Sequence, residues 1–265
     1  MNLTLSQAEI ARLSECVEAA QDHATLIAKL TNEFPAMTVD DGYAVQFALR
    51  DRRLARSGIR PVGWKVGLTS KAKMLQMGVY EPSIGFLDSA MARPENSTID
   101  TAELCHPRAE CEIAFVTKAE LSGPDLSVDD VLAAVDFVIP AVEIIDSRYE
   151  NFKFDLPSVI ADNSSSARFV AGGQPRRPGD VDLRSLGVVM EKNGEIVAMG
   201  ASAAVLGHPA AAIAMLVKIL HDLGHVLPAG SFVMSGAITE AIPVKAGDHL
   251  IARFQALGGV SMRFV

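Results

Sequence analysis

Residues 108–116 (RAECEIAFV) alternate polar and apolar side chains and read as a strand. Alternation puts Cys111, Ile113 and Phe115 on one face and Glu110 and Glu112 on the other. Two carboxylates about 7 Å apart on one face repel by roughly 2 kcal/mol at an effective dielectric of about 20, so something there must offset them. A second strand, 138–145 (VIPAVEII), is apolar except for Glu143, an expensive place for a charge unless it is paired or bound to a metal. If the three carboxylates converge, they form the hard, all-oxygen site that suits Mg²⁺ or Mn²⁺. The same pattern also fits a solvated outer face, with Glu143 paired to Arg108 or Arg148.

Around these strands the chain changes texture once. Ser6 and Glu9 form a capping-box pattern ahead of Ile10, Leu13 and Val17, which predicts an amphipathic helix. A second helical pattern covers 26–30. Thr38 caps a third, with Tyr43, Phe47 and Leu54 facing inward and Gly58 as its stop. Residues 1–60 are therefore expected to be a helical N-terminal region and 61–265 a mixed-β domain that carries the glutamates. Residues 62–70 (VGWKVGLTS) read as a strand, and 71–77 as a short helix ended by Gly78. Lys65, inside that strand and flanked by glycines, either needs a carboxylate or anionic ligand as partner or snorkels from a sheet edge.

Ser127 and Asp130 cap a helix with Val128, Val131, Leu132 and Val135 inward, which leads directly into the strand of Glu143. The polar segments 146–155 and 161–166 are either connection only or a source of hydroxyl and amide donors, and Arg148 and Lys153 lean them toward an anionic ligand. Asn193-Gly194 predicts a hairpin over 187–200. His208-Pro209 opens a helix to Leu223, with His208 and His225 read as helix-end residues. Strands are expected over 231–238 and 248–265, and Thr239 stands where the first opens into a loop. The order of elements is α+β with a mixed, barrel-like or sandwiched sheet.

A net charge of −8 argues against nucleic acid. Three cysteines without metal-ligand spacing indicate neither a disulfide framework nor zinc, and fit a reducing cytoplasm. No signal-peptide pattern and no uninterrupted apolar run of 18 residues is present, so a soluble protein without a membrane partner is expected.

Taken together, 63–70 (GWKVGLTS), Glu110-x-Glu112 with Glu143, Asp162-Asn163-x-Ser165-Ser166, Leu206-Gly207-His208-Pro209 and Gly236-x-x-Thr239 resemble the hydratase/decarboxylase branch of the fumarylacetoacetate hydrolase superfamily, across essentially the whole chain. Residues 73–79 and 147–155 are similar to its decarboxylase members, which act in meta-cleavage degradation of aromatic compounds. The sister hydratases usually carry an acidic residue in a Pro-Asp-Phe-Gly segment where this chain has Pro82-Ser83-Ile84-Gly85, and adding water to a diene needs a proton donor and a base. The resemblance implies that Glu110, Glu112 and Glu143 hold Mg²⁺ or Mn²⁺ against the C1 carboxylate and C2 ketone of 2-oxohex-3-enedioate. It implies Lys65 as a second, catalytic electrostatic contact, Ser165 and Thr239 as hydrogen-bond donors, and Arg148 or Lys153 as the group that orients the distal carboxylate lost as CO₂. It further implies a homo-oligomer and association with the partner hydratase. A hydratase of the same branch is the alternative activity. A non-catalytic binding subunit is disfavoured because all three carboxylates are present.

Overall fold

The computed structural model describes residues 2–70 and 82–265, so the expected helix at 71–77 and the stretch 73–79 lie outside the described residues. In chain order the elements are α1 (Gln7–Asp22), α2 (Val39–Leu54), β1 (Pro61–Gly67), β2 (Ser83–Asp88), β3 (Ala92–Arg93), β4 (Thr98–Ile99), β5 (Arg108–Thr117), α3 (Val128–Ala134), β6 (Val135–Ile145), α4 (Leu156–Ala161), β7 (Ser166–Ala171), β8 (Gly187–Lys192), β9 (Glu195–Ala201), α5 (Pro209–Asp222), β10 (Phe232–Met234), β11 (Ile242–Pro243), β12 (His249–Phe254) and β13 (Gly258–Phe264).

Local chemistry sets the helix starts. Ser6 with Glu9, Thr38 with Asp41 and Ser127 with Asp130 each close a capping box, which satisfies backbone N–H groups that would otherwise be orphaned. The helix expected over 26–30 does not form. Five residues are too few to nucleate one, and Ile27 instead bridges Tyr149, donating to the Arg148 carbonyl (2.8 Å) and accepting from Glu150 N–H (3.1 Å). A 3₁₀ turn at Leu30–Asn32 is all that remains.

Eight strands form one mixed sheet in the order β2-β1-β10-β5-β6-β7-β3, with β11 added alongside β5; β1 pairs parallel with β10 and β3 with β7. The other five form a second sheet, β4-β13-β12-β8-β9, whose β8–β9 hairpin turns at Asn193 and Gly194, both at positive φ. The strand expected over 231–238 is only three residues long, because the chain leaves the sheet after Met234 and turns at Gly236. The larger of two hydrophobic clusters among the described residues runs from Leu5, Ile10 and Leu13 of the N-terminal segment through Cys111, Ile113 and Phe115 of β5 to α5. Residues Ser202–Asp222 have the length and mean hydropathy (1.8) of a membrane span, but half of that window is buried in this core.

Candidate metal centre

The register of β5 and β6 makes the site. Glu110 faces Glu143 directly across the ladder, and Glu112 follows on the same face. One oxygen from each of the three carboxylates lies within 4.8 Å of the others, and all three residues are buried. Ser166 at the head of β7 donates to Glu143 Oε1 (2.7 Å), and the Gly236 N–H donates to Glu112 Oε2 (2.7 Å). Glu143 pairs neither with Arg108 nor with Arg148. Its cation is Lys65, 3 % exposed, whose Nζ lies 3.5 Å from Oε2. On a flat sheet β1 and β6 would stand roughly 14 Å apart, three strand spacings, too far for side chains that stand upright from the sheet to meet. The sheet must curl to make this contact, and the early end of β10 leaves room for it.

Gly236 closes the arrangement. Its φ is 106°, and a Cβ there would stand 2.3 Å from Thr69 Oγ1, so only glycine brings this N–H onto Glu112.

Burial, and then the charges of Glu143 and Glu110, push the Glu112 carboxyl well above the usual range; burial also raises Glu143, against the pull of Lys65. Three buried carboxylates this close repel one another, and Lys65 answers Glu143. Glu143 Oε2 is buried and lacks a hydrogen bond of normal length. A divalent cation fits this donor set: it is all oxygen, and the three oxygens, within 4.8 Å of one another, need to draw in to the roughly 3 Å that separates neighbouring ligands of one Mg²⁺ and the roughly 4.2 Å that separates opposite ones.

Glu110 and Lys65 open into a cavity of about 550 Å³ that Arg108, Phe152, Lys153, Phe154 and Ser165 also line. Ser165 arrives through strain. Asn163, Ser164 and Ser165 are three consecutive residues at positive φ (51°, 50° and 60°). They are pinned by Asn163, whose amide accepts from Phe86 N–H (2.8 Å) and donates to Phe86 O (3.0 Å), and by Ser164 Oγ donating to Ile84 O (2.8 Å). The Ser165 hydroxyl is left buried without a partner, and Ser165 lines the cavity.

Lys153 is exposed at the cavity's edge. Arg148 is elsewhere. Its Nε lies 2.6 Å from Asp162 Oδ1, its remaining nitrogens donate to the Asp162 and Asp146 carbonyls, and it is 2 % exposed, so it clamps the segment rather than meeting a ligand in this cavity. Thr239 Oγ1 accepts from Cys111 N–H (3.1 Å) and is not in the cavity wall. His208 caps α5 by accepting from Ala210 N–H (3.0 Å). The sequence pattern gives Arg108 no ligand-binding role, although alternation puts it on the face of Glu110. Its guanidinium lies over the Phe152 ring at 4.5 Å, and among the described residues no ion pair engages it.

Comparisons with known proteins place the chain among its relatives. The family described as fumarylacetoacetate (FAA) hydrolase C-terminal matches residues 68–265. A 4-oxalocrotonate decarboxylase from Pseudomonas sp. (strain CF600) is 55% identical over 265 residues, covering 100% of both chains. A 2-hydroxyhexa-2,4-dienoate hydratase from Comamonas testosteroni is 37% identical over 96% of this chain and 95% of its own. Among solved structures, 4-oxalocrotonate decarboxylase from Pseudomonas putida G7, complexed with magnesium and adipate, superposes with a TM-score of 0.98 at 53% identity, covering 100% of both chains.

Proposed function

The chain belongs to the fumarylacetoacetate hydrolase family, and we propose that within it Glu110, Glu112 and Glu143 hold the divalent cation of a decarboxylase whose substrate contacts come from Lys65, Ser165 and Lys153. The protein is a carboxy-lyase that takes CO₂ from 2-oxohex-3-enedioate (4-oxalocrotonate), leaving 2-hydroxypenta-2,4-dienoate, in aromatic catabolism. The observation that carries the residue assignment is the buried convergence of three carboxylates, with Lys65 against one of them.

The bond that breaks lies between C5 and C6. Its electron pair moves through C4 and C3 toward the C2 oxygen, where negative charge develops. A bound Mg²⁺ or Mn²⁺ supplies Lewis-acid stabilisation of that charge. Ser166 and the Gly236 N–H orient two of the three carboxylates and hold them in the geometry a cation needs. Lys65 Nζ supplies a fixed positive charge beside Glu143, and the unpartnered Ser165 hydroxyl is free to donate to a substrate oxygen. Phe152 and Phe154 make the cavity apolar where neutral CO₂ must form from a charged carboxylate. Lys153 suits the distal carboxylate because it is exposed. A solvated ammonium gives about 0–1 kcal/mol, enough to recruit that group without opposing its departure.

Ser83 and Ile84 begin β2 where the sister hydratases carry their acidic residue, and Ser83 lines the cavity, which favours decarboxylation over hydration. We further place the protein in the cytoplasm, as a homo-oligomer that passes its dienol product to a partner hydratase. The test is a pair of assays with Mg²⁺. CO₂ release from 2-oxohex-3-enedioate is expected, and Glu110→Gln or Glu143→Gln should abolish it. Rapid hydration of 2-hydroxypenta-2,4-dienoate without CO₂ release would place the chain on the hydratase side of its family.

A further inference from the structure

A second cavity, of about 330 Å³, has Ser166 and Asn163 in its wall and five arginines around it. Three of these have their own acid: Arg53 lies 2.7 Å from Asp88, Arg56 pairs with Glu18 and Asp22, and Arg148 is held by Asp162. Asp146, also in the wall, accepts from the Cys105 (2.9 Å) and His106 (2.7 Å) N–H groups. Arg93 and Arg168 are left to share one carboxylate. Glu103 stands 2.9 Å from Arg168 and 3.9 Å from Arg93, and its side chain is 56% exposed, so it is a weak counter-charge for two guanidiniums that are mostly buried.

Two further observations show the deficit. Arg168 Nε is buried without a hydrogen-bond partner. Burial, reinforced by the neighbouring charge of Arg168, holds Arg93 below the usual guanidinium range. Paired guanidiniums with donors to spare, in a polar cavity, are a recognition element for an oxyanion, which accepts from both forks at once.

We propose that this cavity binds a small oxyanion, a phosphate or a carboxylate, between Arg93 and Arg168. Arg168 follows Ser166 by two residues on β7, and Ser166 donates to Glu143, so the site abuts the carboxylate cluster without opening into the substrate cavity.

The experiment is thermal melting of the Mg²⁺-loaded protein in inorganic phosphate, in succinate and in chloride at matched ionic strength. Phosphate or succinate should raise the melting temperature by several degrees above chloride as the site saturates. A rise with phosphate alone assigns a phosphate ligand, and one with succinate alone a carboxylate. Arg168→Gln and Arg93→Gln should each abolish the rise, whereas Lys153→Gln, at the edge of the substrate cavity, should keep it. If Arg168→Gln does not fold, Arg93→Gln, on the two-residue β3, carries the test. No rise above chloride overturns the proposal, as does a rise that persists in the arginine variants.

Discussion

Replacing Lys65 by methionine separates its roles as structural partner and as catalytic charge. Methionine keeps most of the apolar stem and removes only the ammonium. At 3.5 Å and an effective dielectric of about 20, the Lys65–Glu143 attraction is about 5 kcal/mol before desolvation is counted. Without it, the already raised Glu143 carboxyl rises further and holds its proton more tightly in the metal-free protein. Mg²⁺ should nevertheless still bind, because removing a cation from the neighbourhood does not weaken the pull of three carboxylates on another cation. Catalysis should suffer instead. Loss of one preorganised group at a developing oxyanion costs about 3–4 kcal/mol, so kcat for CO₂ release should fall by roughly 10²–10³ while the Mg²⁺-induced rise in melting temperature persists. Steady-state CO₂ release and thermal melting, each with and without Mg²⁺, read the two quantities separately. A kcat within about threefold of the parent would refute the argument. So would loss of the Mg²⁺ effect together with activity, since Lys65 would then be acting only by holding Glu143.

The two adjacent serines should behave differently. Ser165→Ala removes a hydroxyl with no partner in the folded chain, so the melting temperature should hold while KM rises about 5–10-fold, the worth of one hydrogen bond. Ser166→Ala removes the donor to Glu143 and should weaken Mg²⁺ binding by about 10–100-fold, measured by metal titration. Gly236→Ala puts a Cβ 2.3 Å from Thr69 Oγ1 at a φ of 106°, and should destabilise the fold by more than about 2 kcal/mol in denaturant unfolding. For pH, the carboxyls of Glu112 and Glu143 are raised above 4.5 on folding, so in the metal-free protein their contribution to stability is full below that value and is lost as pH rises through the folded values. Mg²⁺ needs the deprotonated forms, so the melting-temperature gain from Mg²⁺ should grow as pH rises through the folded-state values of these two carboxyls, and a gain independent of pH would contradict the burial of these groups.

What the sequence determined by itself was whatever depends on neighbours a few residues away. Strand alternation put Glu110 and Glu112 on one face, the three capping boxes marked the starts of α1, α2 and α3, and Asn193-Gly194 set a hairpin, because side-chain direction and cap chemistry are local. The order of motifs along the chain also carried the family. Tertiary structure alone decided how those pieces meet. It curled the sheet so that Lys65 reaches Glu143 across three strand spacings, and it brought Gly236, 124 residues from Glu112, onto that carboxylate. It turned Arg148 away from the substrate cavity and onto Asp162, and drew the 26–30 segment out of a helix into a bridge with Tyr149. Charge pattern cannot predict such choices. A buried arginine or lysine goes to whichever acid the folded backbone brings within reach, and that distance is set by packing between segments far apart in the chain.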